Sequence, residues 1–167
     1  KEVAQSLVRR ASAVWNMYGP TEATIWASAK EVKVSDEVIS VGKPIANTRF
    51  YILDAHQQPV PVGLSGELYI AGDCLANGYF NREDLNESQF IQDPFQEGLM
   101  YKTGDLARHL PSGDFVILGR VDNQVKVNGY RIELEEVERT ILLHPKVKDV
   151  VVSAQGDDRK LVAYIVA

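Results

Sequence analysis

The feature that most constrains this chain is a run of short strand-like segments closed off by turn-forming residues. Val38-Ile39-Ser40-Val41-Gly42, Thr48-Arg49-Phe50-Tyr51-Ile52-Leu53 and Gly66-Glu67-Leu68-Tyr69-Ile70-Ala71 lead it. Met100-Tyr101-Lys102-Thr103, Leu106-Ala107-Arg108-His109-Leu110 and Phe115-Val116-Ile117-Leu118 continue it. Asp54–Pro61 and Gly63-Leu64-Ser65 are rich in turn residues, and Pro111-Ser112-Gly113-Asp114 reads as a hairpin turn. Short strands at this spacing predict a small barrel or a curled antiparallel sheet. Asn81 to Phe90 interrupts them as a short helix or loop, with Asn81 as its candidate cap.

After Asp122 the pattern changes. Gln124-Val125-Lys126-Val127 and Tyr130-Arg131-Ile132 flank Asn128-Gly129, a strong two-residue hairpin signal. Glu133 to Leu143 follows with Leu134, Val137, Ile141 and Leu142 at helical spacing and an acidic first turn, and His144-Pro145 stops it. Val147–Ala154 and Lys160–Val166 read as strands joined by the polar turn Gln155–Arg159. The fold class expected is α+β: a β-rich distorted barrel over 1–120, then a small α+β unit over 121–167.

Both ends read as cut from something larger. Lys1 to Arg10 looks like the tail of a helix with Val3, Leu7 and Val8 on its apolar side, and Ala13-Val14-Trp15 like a short buried strand. These cannot complete an α/β layer, and the other end stops on a bare apolar strand. The first residue is not Met, and no signal peptide is evident. Net charge is −5 with no Lys/Arg stripe, which argues against a nucleic-acid surface. No apolar run is long enough to span a membrane. Cys74 is the single cysteine, so no disulfide framework forms, and it reads as a small half-buried residue beside a turn. His56, His109 and His144 lack ligand spacing. A soluble, cytoplasmic protein is expected.

The chemistry concentrates in Asn16-Met17-Tyr18-Gly19-Pro20-Thr21-Glu22. A ring can stack on a base, a Gly-Pro turn lets backbone approach a phosphate, a hydroxyl can donate to a phosphate oxygen, and a carboxylate can hold Mg²⁺. Alone, such a segment is equally a surface loop. Three further blocks accompany it in order: Gly66-Glu67-Leu68-Tyr69-Ile70-Ala71-Gly72 ending in Asn77-Gly78-Tyr79, Tyr101-Lys102-Thr103-Gly104-Asp105-Leu106, and Gly119-Arg120-Val121-Asp122-Asn123-Gln124-Val125-Lys126-Val127-Asn128-Gly129-Tyr130-Arg131-Ile132-Glu133-Leu134. Together these four blocks resemble the adenylation domains of nonribosomal peptide synthetases, within the adenylate-forming, AMP-binding enzymes. The resemblance covers nearly the whole chain.

That resemblance implies an amino-acid-activating ligase using ATP and Mg²⁺, with an aminoacyl-AMP intermediate and transfer to phosphopantetheine on a carrier domain. Tyr18 would stack on adenine, with Gly19 allowing close approach. Thr21 would bond the α-phosphate, and Glu22 would help bind the metal, which makes Thr21 and Glu22 the catalytic pair. Asp105 would accept the ribose hydroxyls, and Arg120 would contact ribose and phosphates. Asp122 would be the hinge about which the small unit swings. Gly129 would line the pantetheine channel. Asn77, Asn128 and Glu135 depart from the family pattern, and Asn77-Gly78-Tyr79 reads as structural. The family's upstream phosphate loop and a lysine near the end of the small domain are absent, so this piece alone is expected to be inactive.

Met17, Ile25 and Trp26 would line the side-chain pocket by the same resemblance. They offer no charged partner, which points to an uncharged amino acid. The Ile-Trp pair resembles cysteine-activating domains, though three apolar wall positions are equally compatible with aliphatic residues. Two rival readings stand beside this one. One is an acyl-CoA or aryl-acid ligase of the same superfamily. The other is a noncatalytic β-barrel interaction module, which would leave Tyr18, Thr21, Asp105 and Arg120 unexplained.

Overall fold

The computed structural model describes residues 1–127, 129–156 and 160–167, and the chain falls into two units, Lys1–Val121 and Asp122–Ala167. Asn128 and the tip of the turn expected over Gln155–Arg159 lie outside the described residues.

The first unit opens with helix α1 (Glu2–Val8), which buries none of its residues. Strands β1 (Trp15–Tyr18), β2 (Ser28–Glu31) and β3 (Lys43–Pro44) form an antiparallel sheet with Met17 opposite Ala29 and Tyr18 opposite Ser28. The buried strand expected over Ala13–Trp15 is therefore shifted. It begins at Trp15, which is 59% exposed, and takes in Asn16 to Tyr18. Pairing decides its position, because the polar Ser-Ala-Lys-Glu run of β2 supplies the ladder partner and no apolar period announces it.

A five-stranded antiparallel sheet follows, built from β4 (Thr48–Leu53), β5 (Ser65–Gly72), β6 (Phe90–Gln92), β7 (Leu99–His109) and β8 (Phe115–Arg120). Its order is β4-β5-β7-β6, with β8 also pairing β7. The sheet curls, as the strand pattern predicts. In β5, Leu68 and Ile70 enter one apolar cluster with Phe50, Ile52 and Phe115, while Tyr69 and Ala71 enter another with Leu53 and Met100. Both faces of β5 are covered, which is why it reads as a nearly continuous apolar run. Helix α2 (Glu83–Gln89) packs beside β6.

Three further expectations are corrected in this unit. Val38–Gly42 is not a strand; only an isolated bridge joins Gly42 to Phe115. Gly42 has φ +79°, and a Cβ there would collide with the Ala29 carbonyl, so the chain kinks at Gly42 and pairs as a strand only from Lys43. Asn81 does not cap α2: it sits at φ +53°, and the cap position falls to Arg82, whose side chain makes no capping bond. The segments Met100–Thr103 and Leu106–Leu110 are one strand, β7, bent by a bulge. Glu67 pairs with Leu106 and Tyr69 with Lys102, so Leu68 alone faces Thr103, Gly104 and Asp105.

In the second unit, β9 (Val125–Val127) and β10 (Tyr130–Ile132) form one hairpin ladder, and β11 (Asp149–Gln155) and β12 (Lys160–Val166) another. Helix α3 (Leu134–Leu142) lies between them in sequence and packs on β11. Leu134, Val150 and Val152 are buried, with Val137, Ile141, Ile132, Val125 and Val147 against them. The helical period thus identified the correct face, except that Leu142 stays exposed. Among the described residues, no helix is long and apolar enough to cross a membrane.

A half-buried ion pair ties the first sheet to the β7–β8 turn. Lys30 Nζ lies 2.6 Å from Asp114 Oδ2, which also accepts from Ser40 Oγ at 3.1 Å. Burial alone would raise the Asp114 pKa, but the bonds from Lys30 and Ser40 outweigh it and hold the carboxyl below its ordinary range. A depressed folded pKa stabilises the fold above the unfolded value of about 3.9, and that gain is lost as pH falls through the folded value. Asp114→Asn should therefore cost about 1–2 kcal/mol at neutral pH by urea unfolding. The gap to the parent chain should narrow as pH falls through the folded pKa of Asp114. A gap that stayed constant into acid would contradict this assignment.

Candidate nucleotide-binding site

The bulge in β7 sets the position of Asp105. Thr103 Oγ1 donates to the Leu68 carbonyl at 2.7 Å and accepts from the Asp105 amide at 2.9 Å. Gly104 between them has φ +72°, a conformation glycine adopts without strain. Asp105 then faces Arg120, its ladder partner on β8. Arg120 Nη1 donates to Asp105 Oδ1 at 2.8 Å, and the Tyr18 hydroxyl donates to Oδ2 at 2.5 Å. Residues far apart in sequence thus converge on one carboxylate. Each of its oxygens has a second lone pair, so a carboxylate held this way can still accept from a vicinal diol.

A row of rings supports Tyr18. Its ring meets Phe50 edge-on at 6.1 Å, Phe50 meets Phe115 at 5.2 Å, and His109 stacks on Phe115 at 4.5 Å. Burial, reinforced by the charge of Asp105, pushes the Tyr18 phenol well above its ordinary pKa, so it remains a donor.

Beyond Tyr18 the chain makes a tight reversal. The Tyr18 carbonyl accepts from the Ala27 amide at 2.8 Å, closing the segment between them. Gly19 lies against the returning backbone: a Cβ on it would collide with the Ile25 carbonyl and sit 2.7 Å from the Ala27 nitrogen. Thr21–Ala23 forms a single 3-10 turn. Thr21 is exposed at its start and is not a member of the hydrogen-bonded trio. Glu22 is only 6% exposed and accepts from the Tyr79 hydroxyl at 2.5 Å. Burial, then the bond to Glu22, raises the Tyr79 pKa, so this phenol also stays protonated.

Ile25 and Trp26 lie on strained backbone. Thr24 and Ile25 are both in the left-handed region, at φ +55° and +73°, and the Trp26 amide donates to the Thr24 carbonyl at 2.9 Å. That is the geometry of a γ-turn, which costs a β-branched residue energy and persists only where the surroundings enforce it. Here the Thr24 hydroxyl donates to the Cys74 carbonyl at 2.6 Å. Ile25 and Trp26 are 68% and 57% exposed, so both are presented outward. Met17, one residue before Tyr18 on β1, points to the opposite face of that strand.

Asp122 and Gly129 belong to the second unit. Asp122 is exposed, and its carboxylate accepts from the Gln124 amide at 3.2 Å. Gly129 has φ +85° in the β9–β10 connection. Cys74 is half-buried and free, as its setting predicts.

Among the described residues, no group of three or more His, Cys, Asp or Glu could form a metal cluster. Glu22 offers one carboxylate, which fits Mg²⁺ held chiefly by phosphate and water oxygens and not by a protein cage. A separate open hollow of about 610 Å³, bordered by Arg49, Asp73, Asn77, Asn86 and Glu97, contains none of the trio. The trio is the better candidate for chemistry, because its groups converge on one carboxylate.

Sequence reasoning missed two contributors. Thr103 sets the bulge, and its place before Gly104-Asp105 was the available signal. Tyr79 was read as structural, yet its hydroxyl reaches Glu22.

The AMP-binding enzyme family model matches residues 1–80. Malpibaldin synthetase of Mortierella alpina is 49% identical over 160 residues, which is 91% of this chain and 3% of that protein. A solved NRPS protein containing adenylation and PCP domains superposes with TM-score 0.78 at 31% identity, covering 96% of this chain and 35% of its own. A four-domain nonribosomal peptide synthetase solved with AMP and glycine gives 0.69 at 41% identity, covering 98% of this chain and 13% of its own. The chain thus spans a small part of the curated relatives it matches.

Gly19→Ala should destabilise the fold by roughly 1–3 kcal/mol, because the opposing atoms are backbone and cannot swing aside. An unchanged urea midpoint would show that the Tyr18–Ala27 reversal is loose.

Proposed function

Because this chain belongs to the AMP-binding enzyme family, we propose that it is part of an adenylation domain that activates an amino acid with ATP and loads it on a carrier protein. The observation that carries the reading is the Asp105 carboxylate, held by Arg120 and by Tyr18, the residue that leads into the turn of Thr21 and Glu22. In this reading Asp105 accepts the ribose hydroxyls. The Tyr18 ring, fixed at its hydroxyl end, offers a face to adenine, and Gly19 lets the backbone approach. Thr21 donates to the α-phosphate from its exposed position. Arg120 adds a fixed positive charge near ribose and phosphate.

The reaction follows from these placements. A carboxylate oxygen of the amino acid attacks the α-phosphorus, an oxygen–phosphorus bond forms, and the bond to the β-phosphate oxygen breaks to release pyrophosphate. Negative charge grows on the α-phosphate oxygens, which Thr21 and Arg120 would stabilise in this reading. When bound beside Glu22, Mg²⁺ would neutralise phosphate charge. In the second half-reaction a phosphopantetheine thiol attacks the acyl carbon, a carbon–sulfur bond forms, AMP leaves and the thiol proton passes to solvent. Asp122 is the proposed hinge between the two half-reactions, and Gly129 the proposed lining of the pantetheine channel.

Met17, Ile25 and Trp26 support an uncharged substrate side chain, and the Ile-Trp pair favours cysteine. The outward placement of Ile25 and Trp26 suits a wall that meets a ligand. ATP as co-substrate suits a reaction in the cytoplasm.

Amino-acid-dependent ATP–pyrophosphate exchange by the longer polypeptide carrying this segment tests the reading. Cysteine and aliphatic amino acids should support exchange better than lysine, arginine or glutamate. Asp105→Ala should lower kcat/KM for ATP by about a hundredfold, or ~3 kcal/mol of transition-state stabilisation. Unchanged kinetics would overturn the assignment, and exchange driven by aryl or fatty acids would transfer it to an acyl or aryl ligase. Asp122→Pro should depress one half-reaction much more than the other, because proline fixes φ. Equal losses in adenylation and thiolation, assayed separately, would remove Asp122 as a hinge.

A further inference from the structure

The segment from Cys74 to Tyr79 is stapled to the turn that carries Thr21 and Glu22. The Ala76 amide donates to the Glu22 carbonyl at 2.8 Å, the Thr24 hydroxyl to the Cys74 carbonyl at 2.6 Å, and the Tyr79 hydroxyl to Glu22 Oε1 at 2.5 Å. Two of these bonds hold backbone. The third holds the functional carboxylate itself.

Tyr79 is in turn fixed at its other end. Asn86 grips its backbone from both sides, accepting from the Tyr79 amide at 2.6 Å and donating to the Tyr79 carbonyl at 3.0 Å. Gly78 permits this grip: at φ +117°, its missing Cβ would lie 2.6 Å from Asn86 Oδ1. The Tyr79 ring packs edge-on against Phe90 at 5.8 Å, and Phe90 packs on Tyr101 at 5.1 Å. The phenol therefore reaches Glu22 from a rigid mount on α2 and β6.

We propose that Tyr79 is a positioning residue that orients the Glu22 carboxylate toward a divalent cation brought by the nucleotide. The proposal rests on the reading of Glu22 as a metal ligand. Its physical basis is the freedom of a glutamate side chain: three torsions leave the carboxylate many orientations, and a buried carboxylate turns toward whatever donors remain. A phenol fixed at one oxygen selects one orientation. Burial makes that donor hard to replace by water.

The test compares binding of α,β-methylene-ATP to the longer polypeptide with and without Mn²⁺, by calorimetry, so that the metal enhancement of affinity is the readout. Glu22→Gln should abolish most of the enhancement. Tyr79→Phe, which keeps the ring, should cut it about tenfold and leave the metal-free affinity unchanged, within the range seen when a ligand's orienting partner is lost. Leu53→Val, in the buried cluster with Tyr69 and Ala71 and outside the mount of Tyr79, serves as a packing control. It should lower Tm without changing the enhancement. If Glu22→Gln keeps the enhancement, Glu22 is not a ligand and both readings fall. If Glu22→Gln loses it while Tyr79→Phe keeps it, the orienting role of Tyr79 alone is overturned. An equal loss in Leu53→Val would likewise reduce Tyr79 to a packing residue.

Discussion

One carboxylate organises the site: Asp105, lifted from β7 by a bulge and held by a phenol on one oxygen and a guanidinium on the other. Each contact comes from a different layer of the fold. Tyr18 belongs to the small sheet of β1 to β3, and Arg120 to the last strand of the curled sheet. Bringing an anion into a half-buried position is costly unless donors meet it. Here the donors are pre-positioned by the core, because the Tyr18 ring is wedged against Phe50 and the Arg120 backbone is in ladder register with Asp105. The core therefore determines the direction of the site's acceptors, and a ligand need not reorganise them on arrival.

A second constraint shapes the reversal from Tyr18 to Ala27. It must return the chain to β2 while presenting Thr21, Glu22, Ile25 and Trp26 in different directions. Gly19 gives up its side chain to the returning backbone, and Thr24 with Ile25 accepts left-handed strain. The strain is maintained by bonds to the Cys74–Tyr79 segment. A loop under this degree of restraint is expensive to maintain for packing alone, and strain of this kind gathers where geometry serves a ligand.

The sequence made the chemistry more legible than the connections that assemble it. The blocks around Tyr18, Asp105 and Arg120 were visible as motifs, and the strands β4, β5 and β8 were visible from β-branched and aromatic runs. β2 was not, because Ser28-Ala29-Lys30-Glu31 carries no apolar period and owes its conformation to pairing. Thr103-Gly104-Asp105 read as a break between strands because glycine and aspartate mark turns, whereas a bulge keeps the ladder on both sides. Val38–Gly42 read as a strand from composition, yet Gly42 bends it away. The role of Tyr79 was invisible for a different reason: a phenol reaching a carboxylate far along the chain leaves no local pattern.

Recognition of the ribose by Asp105 is the step on which the proposed function turns. Calorimetry on the longer polypeptide can isolate that contact in a double-mutant cycle, with Asp105→Asn on the protein side and 2′,3′-dideoxy-AMP in place of AMP on the ligand side. Such a cycle cancels any general loosening of the trio caused by the substitution. If Asp105 accepts the ribose hydroxyls, the two changes should couple by about 1.5–3 kcal/mol, as expected for hydrogen bonds to a charged group. Coupling indistinguishable from zero, with both single changes weakening binding independently, would place the ribose away from Asp105.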